Sequence, residues 1–186
     1  MRHLRNNGFT LLEMMLTLGV LATILAMAIP SFPGMAHKNR LIGTAEEISA
    51  QLQLARTEAI KRSADTYVNF NRTDDTNWCF SISGGANCDC SAVSCQLGGV
   101  EKEVSAADFA SNAAARPLLK EVAFGAGTQL QFDPTRGTVN QAGHVYLESP
   151  DGRQLRVIVS LLGRVRLCSP AGATTHVSGY PTADCP

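Results

Sequence analysis

The sequence is poor in aromatic residues and lacks the short motifs that mark common catalytic sites. Aromatic side chains account for 6% of the 186 residues, and the chain has four histidines. None of these histidines belongs to a His-Glu-x-x-His motif, and no Gly-x-Ser-x-Gly or phosphate-loop motif occurs. We therefore predict no catalytic residue, no cofactor and no enzymatic activity.

The sequence also lacks an excess of charge of either sign. The 16 lysines and arginines balance 16 aspartates and glutamates, so the formal net charge is zero at pH 7. Net charge therefore argues neither for nor against a nucleic-acid partner.

Long apolar runs are absent apart from one near the N-terminus. Residues 14–36 contain no charged side chain, and a helix of roughly 20 residues is long enough to cross the hydrocarbon core of a bilayer. This run exceeds the apolar stretch of a cleaved signal peptide, which has about 7–15 residues. Arg2 and Arg5 precede it, and basic flanks usually stay in the cytoplasm. The run predicts a single membrane-spanning helix with a cytoplasmic N-terminus.

All six cysteines follow this apolar run, in a part of the chain that we expect to lie in an oxidising compartment, where disulfides are the default. We expect a disulfide between Cys168 and Cys185, because it closes a C-terminal loop rich in Gly, Pro, Ser and Thr. The sequence leaves open how the other four pair: Cys79, Cys88, Cys90 and Cys95. Their spacing matches no standard zinc pattern, so no metal site is predicted.

Beyond the apolar run, the hydrophobic pattern is first helical and then strand-like. An apolar face recurs every three or four residues up to about Arg62, which predicts an amphipathic helix: Leu41, Ala45, Ile48, Leu52, Ala55 and Ala59. The opposite face is charged, includes Arg56, and is interpreted as solvated. Period-two runs then predict strands at Thr66–Phe70, Trp78–Ile82, Lys120–Phe124, Gln129–Phe132, His144–Leu147, Leu155–Leu161 and Arg164–Cys168. Residues 83–98 show no apolar period and are expected to form a loop. The expected fold is α+β, with the long N-terminal helix packed on an antiparallel sheet.

The N-terminus resembles the processing site of type IV prepilins. Residues 8–13 read Gly-Phe-Thr-Leu-Leu-Glu, and the resemblance implies cleavage between Gly8 and Phe9 by a prepilin peptidase, with N-methylation of Phe9. An unpaired carboxylate in lipid costs a few kcal/mol, so Glu13 is expected to pair with the Phe9 amine of a neighbouring subunit during assembly.

This resemblance divides the chain into a leader, 1–8, a transmembrane and filament-core helix, 9–36, and a periplasmic domain, 37–186. The protein is then expected in the inner membrane, with a single pass, and later in a pilus or pseudopilus.

Three later segments resemble the GspH/FimT group of pilin-like proteins. Residues 78–80 read Trp-Cys-Phe, residues 132–137 read Phe-Asp-Pro-Thr-Arg-Gly, and residues 163–168 read Gly-Arg-Val-Arg-Leu-Cys. The resemblance implies a minor pilin or pseudopilin that assembles with other pilins. It leaves two alternatives open, a type IV pilus subunit and a minor pseudopilin of a type II protein secretion system with a purely structural role.

The last of these segments also predicts a binding surface. Residues i and i+2 of a strand point to one face, so Arg164 and Arg166 project together, and Gly163 allows close approach of a ligand. We expect further arginines to join them from the preceding strand and from an earlier turn: Arg153, Arg156 and Arg136. Guanidinium groups match phosphate oxygens, and some FimT-like proteins bind DNA through this strand in natural transformation. Double-stranded DNA is therefore one predicted partner. The alternative is that these arginines pair with local carboxylates or neighbouring pilins.

Overall fold

The computed structural model describes residues 9–28, 32–92, 95–125, 127–172, 175–183 and 185. The chain divides into two compact units, residues 1–36 and residues 37–186. The helices are α1, Leu11–Ala28, α2, Phe32–Arg62, and α3, Ala106–Phe109. The strands are β1 (Thr66–Arg72), β2 (Trp78–Ser83), β3 (Gln96–Leu97), β4 (Val100–Glu101), β5 (Glu103–Ser105), β6 (Leu118–Phe124), β7 (Gln129–Phe132), β8 (Gly143–Glu148), β9 (Gln154–Val159) and β10 (Val165–Cys168).

In the first unit, the large apolar side chains between Phe9 and Leu25 are exposed. The side chains of Phe9, Leu11 and Leu12 are all at least 75% exposed. The Thr10 hydroxyl accepts a hydrogen bond from the Glu13 N–H at 3.3 Å and so satisfies one of the unpaired donors at the helix start. None of the helices in the described ranges combines the length and apolar character needed to cross a membrane.

In the second unit, the buried face of α2 is the one that the sequence period predicts. The side chains of Leu41, Ala45, Ile48, Leu52, Ala55 and Ala59 are all fully buried. They join a single core cluster with residues of the strands, among them Phe80, Phe132 and Val157. Every member of this cluster lies between residues 37 and 186.

The strands form two antiparallel four-stranded sheets and one small hairpin. The first sheet has the order β5-β2-β1-β7, and the second sheet has the order β10-β9-β8-β6. The hairpin consists of β3 and β4. In the second sheet Leu155, Val157 and Val159 of β9 point to the core, whereas Arg156 and Ile158 lie on the outer face. This alternation is the period-two pattern of a sheet with one buried face.

The α+β class and the long helices before antiparallel strands are confirmed, but two details of the prediction are wrong. The strands form two large sheets rather than one. Residues 83–98, which we expected to be a loop, contain β3 at Gln96–Leu97. This strand is only two residues long, so it is too short for a period-two pattern to reveal it.

The six cysteines form three disulfides: Cys79–Cys90, Cys88–Cys95 and Cys168–Cys185. The last closes the C-terminal loop, which docks on α2. Val177 of this loop is fully buried, and Lys38 Nζ donates a hydrogen bond to Ser178 Oγ at 3.0 Å. The Tyr180 hydroxyl donates to Glu46 at 2.9 Å. Burial, followed by this hydrogen bond, raises the pKa of Tyr180 to about 12.

Candidate functional site

Two turns that end in glycine meet beside the C-terminal part of α2. In the first, Asp133 Oδ1 accepts hydrogen bonds from the N–H groups of Thr135 and Arg136, at 2.8 and 2.9 Å. The Gly137 N–H donates to the Asp133 carbonyl at 2.9 Å. Gly137 has a φ of 62°, which only glycine adopts without strain. Asp133 therefore stabilises the turn, and Gly137 provides the left-handed backbone conformation at its end.

The second turn joins β9 to β10. The Gly163 N–H donates to the Ser160 carbonyl at 2.8 Å, and the Ser160 N–H donates to the Arg164 carbonyl at 3.0 Å. Gly163 has a φ of 71°. This is a three-residue hairpin loop with a left-handed glycine at its last position. The Val139 N–H also donates to the Leu161 carbonyl at 3.1 Å, so the two turns are hydrogen-bonded through their neighbours.

The two glycines allow these turns to pack directly against each other and against Arg56. A Cβ atom at Gly163 would lie 2.2 Å from the Gly137 carbonyl oxygen, and one at Gly137 would lie 2.8 Å from Arg56 Nε. The Arg56 Nη1 group donates to the Gly163 carbonyl at 3.4 Å. A side chain at either glycine would therefore displace the other turn or Arg56.

This packing brings three guanidinium groups to one groove of about 560 Å³, which we call the arginine groove. It is lined by Arg56, Ile158, Ser160, Leu162, Arg164 and Arg166. Arg166 lies opposite Ile158 in the β9–β10 register, and both Arg164 and Arg166 are exposed. Arg56 Nε is buried and has no hydrogen-bond partner among the described residues. The groove thus offers guanidinium donors beside apolar side chains.

The remaining predicted arginines differ in their positions. Arg136 is exposed in the turn that packs against Gly163. Arg153 is bonded to Asp151 at the other end of β9, roughly 20 Å from Ser160 at about 3.3 Å per residue. The guanidinium of Arg156 lies 4.9 Å from the centre of the Tyr146 ring. Arg153 and Arg156 do not line the arginine groove.

Two further details of the predicted site are wrong. Arg164 precedes β10, because the strand begins at Val165. Arg56, which the helical period assigns to the solvated face, is half-buried and lines the groove. The period of a helix shows which residues face the core, but it carries no signal for a groove formed by turns that are about 80 and 110 residues further along the chain.

Tyr146 and Glu148 help to place Arg156 on the outer face of the second sheet. The Tyr146 hydroxyl donates to Glu148 at 2.8 Å. Burial, followed by this hydrogen bond to the carboxylate, raises the pKa of Tyr146 to about 12. Arg156 therefore has an aromatic partner on the outer face of the second sheet.

The described part of the N-terminal processing site is short. Gly8 lies outside the described residues, Phe9 is 75% exposed, and Glu13 is exposed in the first turn of α1. No group of three or more His, Cys, Asp or Glu side chains suited to a metal ion is found within the described ranges.

A second cavity, of about 240 Å³, lies beside the Cys79–Cys90 disulfide and Trp78. Its one arginine, Arg116, donates to Asn77 Oδ1 at 2.8 Å and to the Ala110 carbonyl at 3.0 Å. These bonds hold the loop before β6 against the first sheet, so we assign this arginine a structural role.

Comparison with known proteins defines the class of this chain. The family model for a prokaryotic N-terminal methylation motif matches residues 3–29, and the model for the type II transport protein GspH matches residues 44–163. A methylation motif before helices and antiparallel sheets is the arrangement of pilin-like subunits. The second match covers more than half of the chain, and the protein belongs to the GspH family.

The structure is similar to two crystal structures of the type IV minor pilin FimU from Pseudomonas aeruginosa. One has 18% sequence identity and a TM-score of 0.45, and covers 72% of this chain and 98% of FimU. The other has 20% identity and a TM-score of 0.49, and covers 76% of this chain and 99% of FimU. No curated protein matches the sequence.

The resemblance to GspH/FimT proteins is thus confirmed. The chain is a minor pilin or pseudopilin of the type IV pilus and type II secretion family. The family is one of structural subunits rather than enzymes, and its methylation motif is typical of membrane-anchored subunits.

Proposed function

We propose that this protein is a minor pilin of a type IV pilus and that its arginine groove binds double-stranded DNA in natural transformation. The observation that carries the proposal is the convergence of Arg56, Arg164 and Arg166 on one groove. Guanidinium groups bind phosphate oxygens with two parallel hydrogen bonds, and each contact releases counterions from the DNA. Arg136, exposed in the adjoining turn, adds a fourth positive charge nearby.

In this proposal the N-terminal residues mediate assembly of the subunit into the filament. A prepilin peptidase removes residues 1–8, Phe9 is N-methylated, and residues 9–36 anchor the subunit in the inner membrane with the rest of the chain in the periplasm. On assembly, the Glu13 carboxylate pairs with the Phe9 amine of an adjoining subunit, because a charge buried in the filament core needs a partner. Other pilins are then the main protein partners.

A second candidate function is a minor pseudopilin of a type II secretion system. It is favoured by the matching family, which is described as a type II transport protein. In that case the arginines contact neighbouring subunits. Loss of the gene would then stop the export of secreted proteins, whereas loss of a type IV pilin would stop twitching and transformation.

The DNA-binding part is tested with the full chain in a non-ionic detergent and a labelled duplex. We expect binding at about 50 mM salt, with a slope of log K against log salt of roughly −2 to −3 for two or three phosphate contacts. Arg164→Ala/Arg166→Ala should weaken binding at least about tenfold.

Arg153→Ala is the matched control, because it removes the same type of side chain from the far end of β9. Equal losses in the double variant and in this control, or no binding at low salt, would reject the arginine groove as a DNA site.

A further inference from the structure

The turn between β9 and β10 exposes two leucines beside the arginine groove. Leu161 is 58% exposed and Leu162 is 73% exposed. The hydrogen bonds of the turn involve its backbone and Ser160, and the middle positions of such turns accept almost any residue. Folding therefore does not require leucine at either position. We call residues 161–162 the leucine turn.

Exposed apolar side chains are concentrated around this site. Among the described residues from 37 onward, the large apolar side chains that are exposed are Ile60, Val100, Leu161 and Leu162. Three of the four border the same pair of turns, since Ile60 Cδ1 lies 2.9 Å from the position of a Cβ on Gly137. Concentrated exposed apolar surface marks a contact site more often than isolated apolar residues do.

The leucine turn is also held in a fixed position. The Leu161 carbonyl accepts the Val139 N–H at 3.1 Å, and the Gly163 carbonyl accepts Arg56 Nη1 at 3.4 Å. Gly137 and Gly163 pack without side chains between them. A protruding apolar group on a fixed backbone loses little conformational entropy when it enters a partner.

We propose that the leucine turn is a wedge that enters the minor groove of duplex DNA and kinks it, while the arginine groove holds the adjacent phosphates. This inference rests on the proposed DNA-binding function. Proteins that kink DNA from the minor groove insert apolar side chains such as leucine or isoleucine between base steps, and they contact the groove with residues such as arginine and lysine. Leu162 and Arg164 both line one groove, which is the arrangement that a wedge beside phosphate contacts requires.

A kinking wedge binds most tightly to DNA that is already easy to bend, because less unstacking energy is lost. The test compares a fully paired duplex of roughly 30 base pairs with the same duplex carrying a central two-base mismatch. The paired duplex is stiff, because it is much shorter than the DNA persistence length of about 150 base pairs. Affinity is measured by anisotropy with the full chain in detergent, and bending is measured by energy transfer between dyes at the two ends.

We expect the natural chain to prefer the mismatched duplex by about tenfold and to shorten the end-to-end distance of both duplexes. Leu161→Ser/Leu162→Ser should lose both the preference and the shortening. Val100→Ser is the matched control, because Val100 is 53% exposed on β4 and does not line the groove. Equal thermal unfolding of the variants shows that the fold is intact.

The possible outcomes distinguish failure of the wedge from failure of the proposed DNA-binding function. Binding to both duplexes with an unchanged preference in Leu161→Ser/Leu162→Ser overturns the wedge and leaves DNA binding in place. If the natural chain binds neither duplex, both the wedge and the proposed DNA-binding function are overturned.

Discussion

At the scale of single residues, the candidate site depends on two glycines as much as on its arginines. Gly137 and Gly163 both have positive φ angles, and each lies where a side chain would strike the other turn or Arg56. In the proposed DNA site the arginines supply the phosphate contacts, and the two glycines determine where the guanidinium groups meet. Arg56 is held by one of these glycines through its carbonyl oxygen.

Gly163→Ala should therefore destabilise the protein and distort the site. The new methyl group combines left-handed backbone strain with a 2.2 Å approach to the Gly137 carbonyl. We expect a loss of about 2–4 kcal/mol in the free energy of unfolding, measured by chemical denaturation. Gly152→Ala is the control, since Gly152 has a φ of 84° but open space around it, and should lose only about 1 kcal/mol. Equal losses would contradict the close packing of the two turns.

Tyr180 gives a prediction for alkaline pH. Its pKa is raised to about 12 in the folded protein, and the usual value is about 10. Because the folded state disfavours the phenolate, this contribution to stability is complete below about pH 10 and is lost as the pH rises towards 12. Tyr180→Phe should show a smaller fall in the unfolding midpoint between pH 9 and 12 than the natural chain. A parallel fall in both proteins would show that the Tyr180–Glu46 contact does not stabilise the C-terminal loop.

At the scale of elements, the C-terminal loop after β10 is fastened at several points. The Cys168–Cys185 disulfide closes it, and the Ser169 N–H donates to the Pro181 carbonyl at 3.0 Å. Ser169 Oγ accepts the Val177 N–H at 2.8 Å. The loop therefore combines a covalent closure with a buried apolar contact to the core.

Cys168→Ser/Cys185→Ser should loosen this loop without unfolding the sheets. The disulfide spans 17 residues, for which chain entropy gives about 3 kcal/mol. Amide exchange should become faster at Val177 and Tyr180, whereas the amides of β9 should keep their protection. Uniformly faster exchange over the second unit would indicate that the loop and the core unfold as one unit.

The sequence predicts best those elements whose apolar repeat continues over many residues. The buried face of α2 and the central part of β9 follow from apolar residues that repeat over several turns or pairs. The groove is harder to predict because its parts come from α2, β9 and β10, and a single sequence does not specify their separation in space. The i, i+2 spacing of Arg164 and Arg166 predicts that they project together, whereas nothing in the sequence links them to Arg56.

Arg153 is the reverse case, because the sequence predicts it beside Arg164 and Arg166 and the structure places it elsewhere. It is close in sequence to the groove-lining residues of β9, yet a strand of six residues carries it to the far end of the sheet, where it pairs with Asp151. Proximity in sequence therefore misplaces residues at strand ends, since an extended chain advances about 3.3 Å per residue.

At the scale of the whole molecule, the two units of the chain have separate proposed tasks, assembly and DNA binding. The N-terminal residues carry the methylation motif, and the unit of residues 37–186 carries the core, the disulfides and the arginine groove. Because these tasks lie in different units, a substitution in the groove should leave assembly unchanged. Glu13→Ala, by contrast, should prevent incorporation into the filament and so abolish every function that depends on it.

The most direct test of the account is the uptake of fluorescent DNA by cells that carry Arg164→Ala/Arg166→Ala. We expect normal amounts of surface pili and normal twitching in these cells, with DNA uptake reduced at least about tenfold, as for the loss of two phosphate contacts. Arg153→Ala cells should take up DNA normally. Normal uptake in the double variant, with the altered subunit present in the pili, would contradict the account.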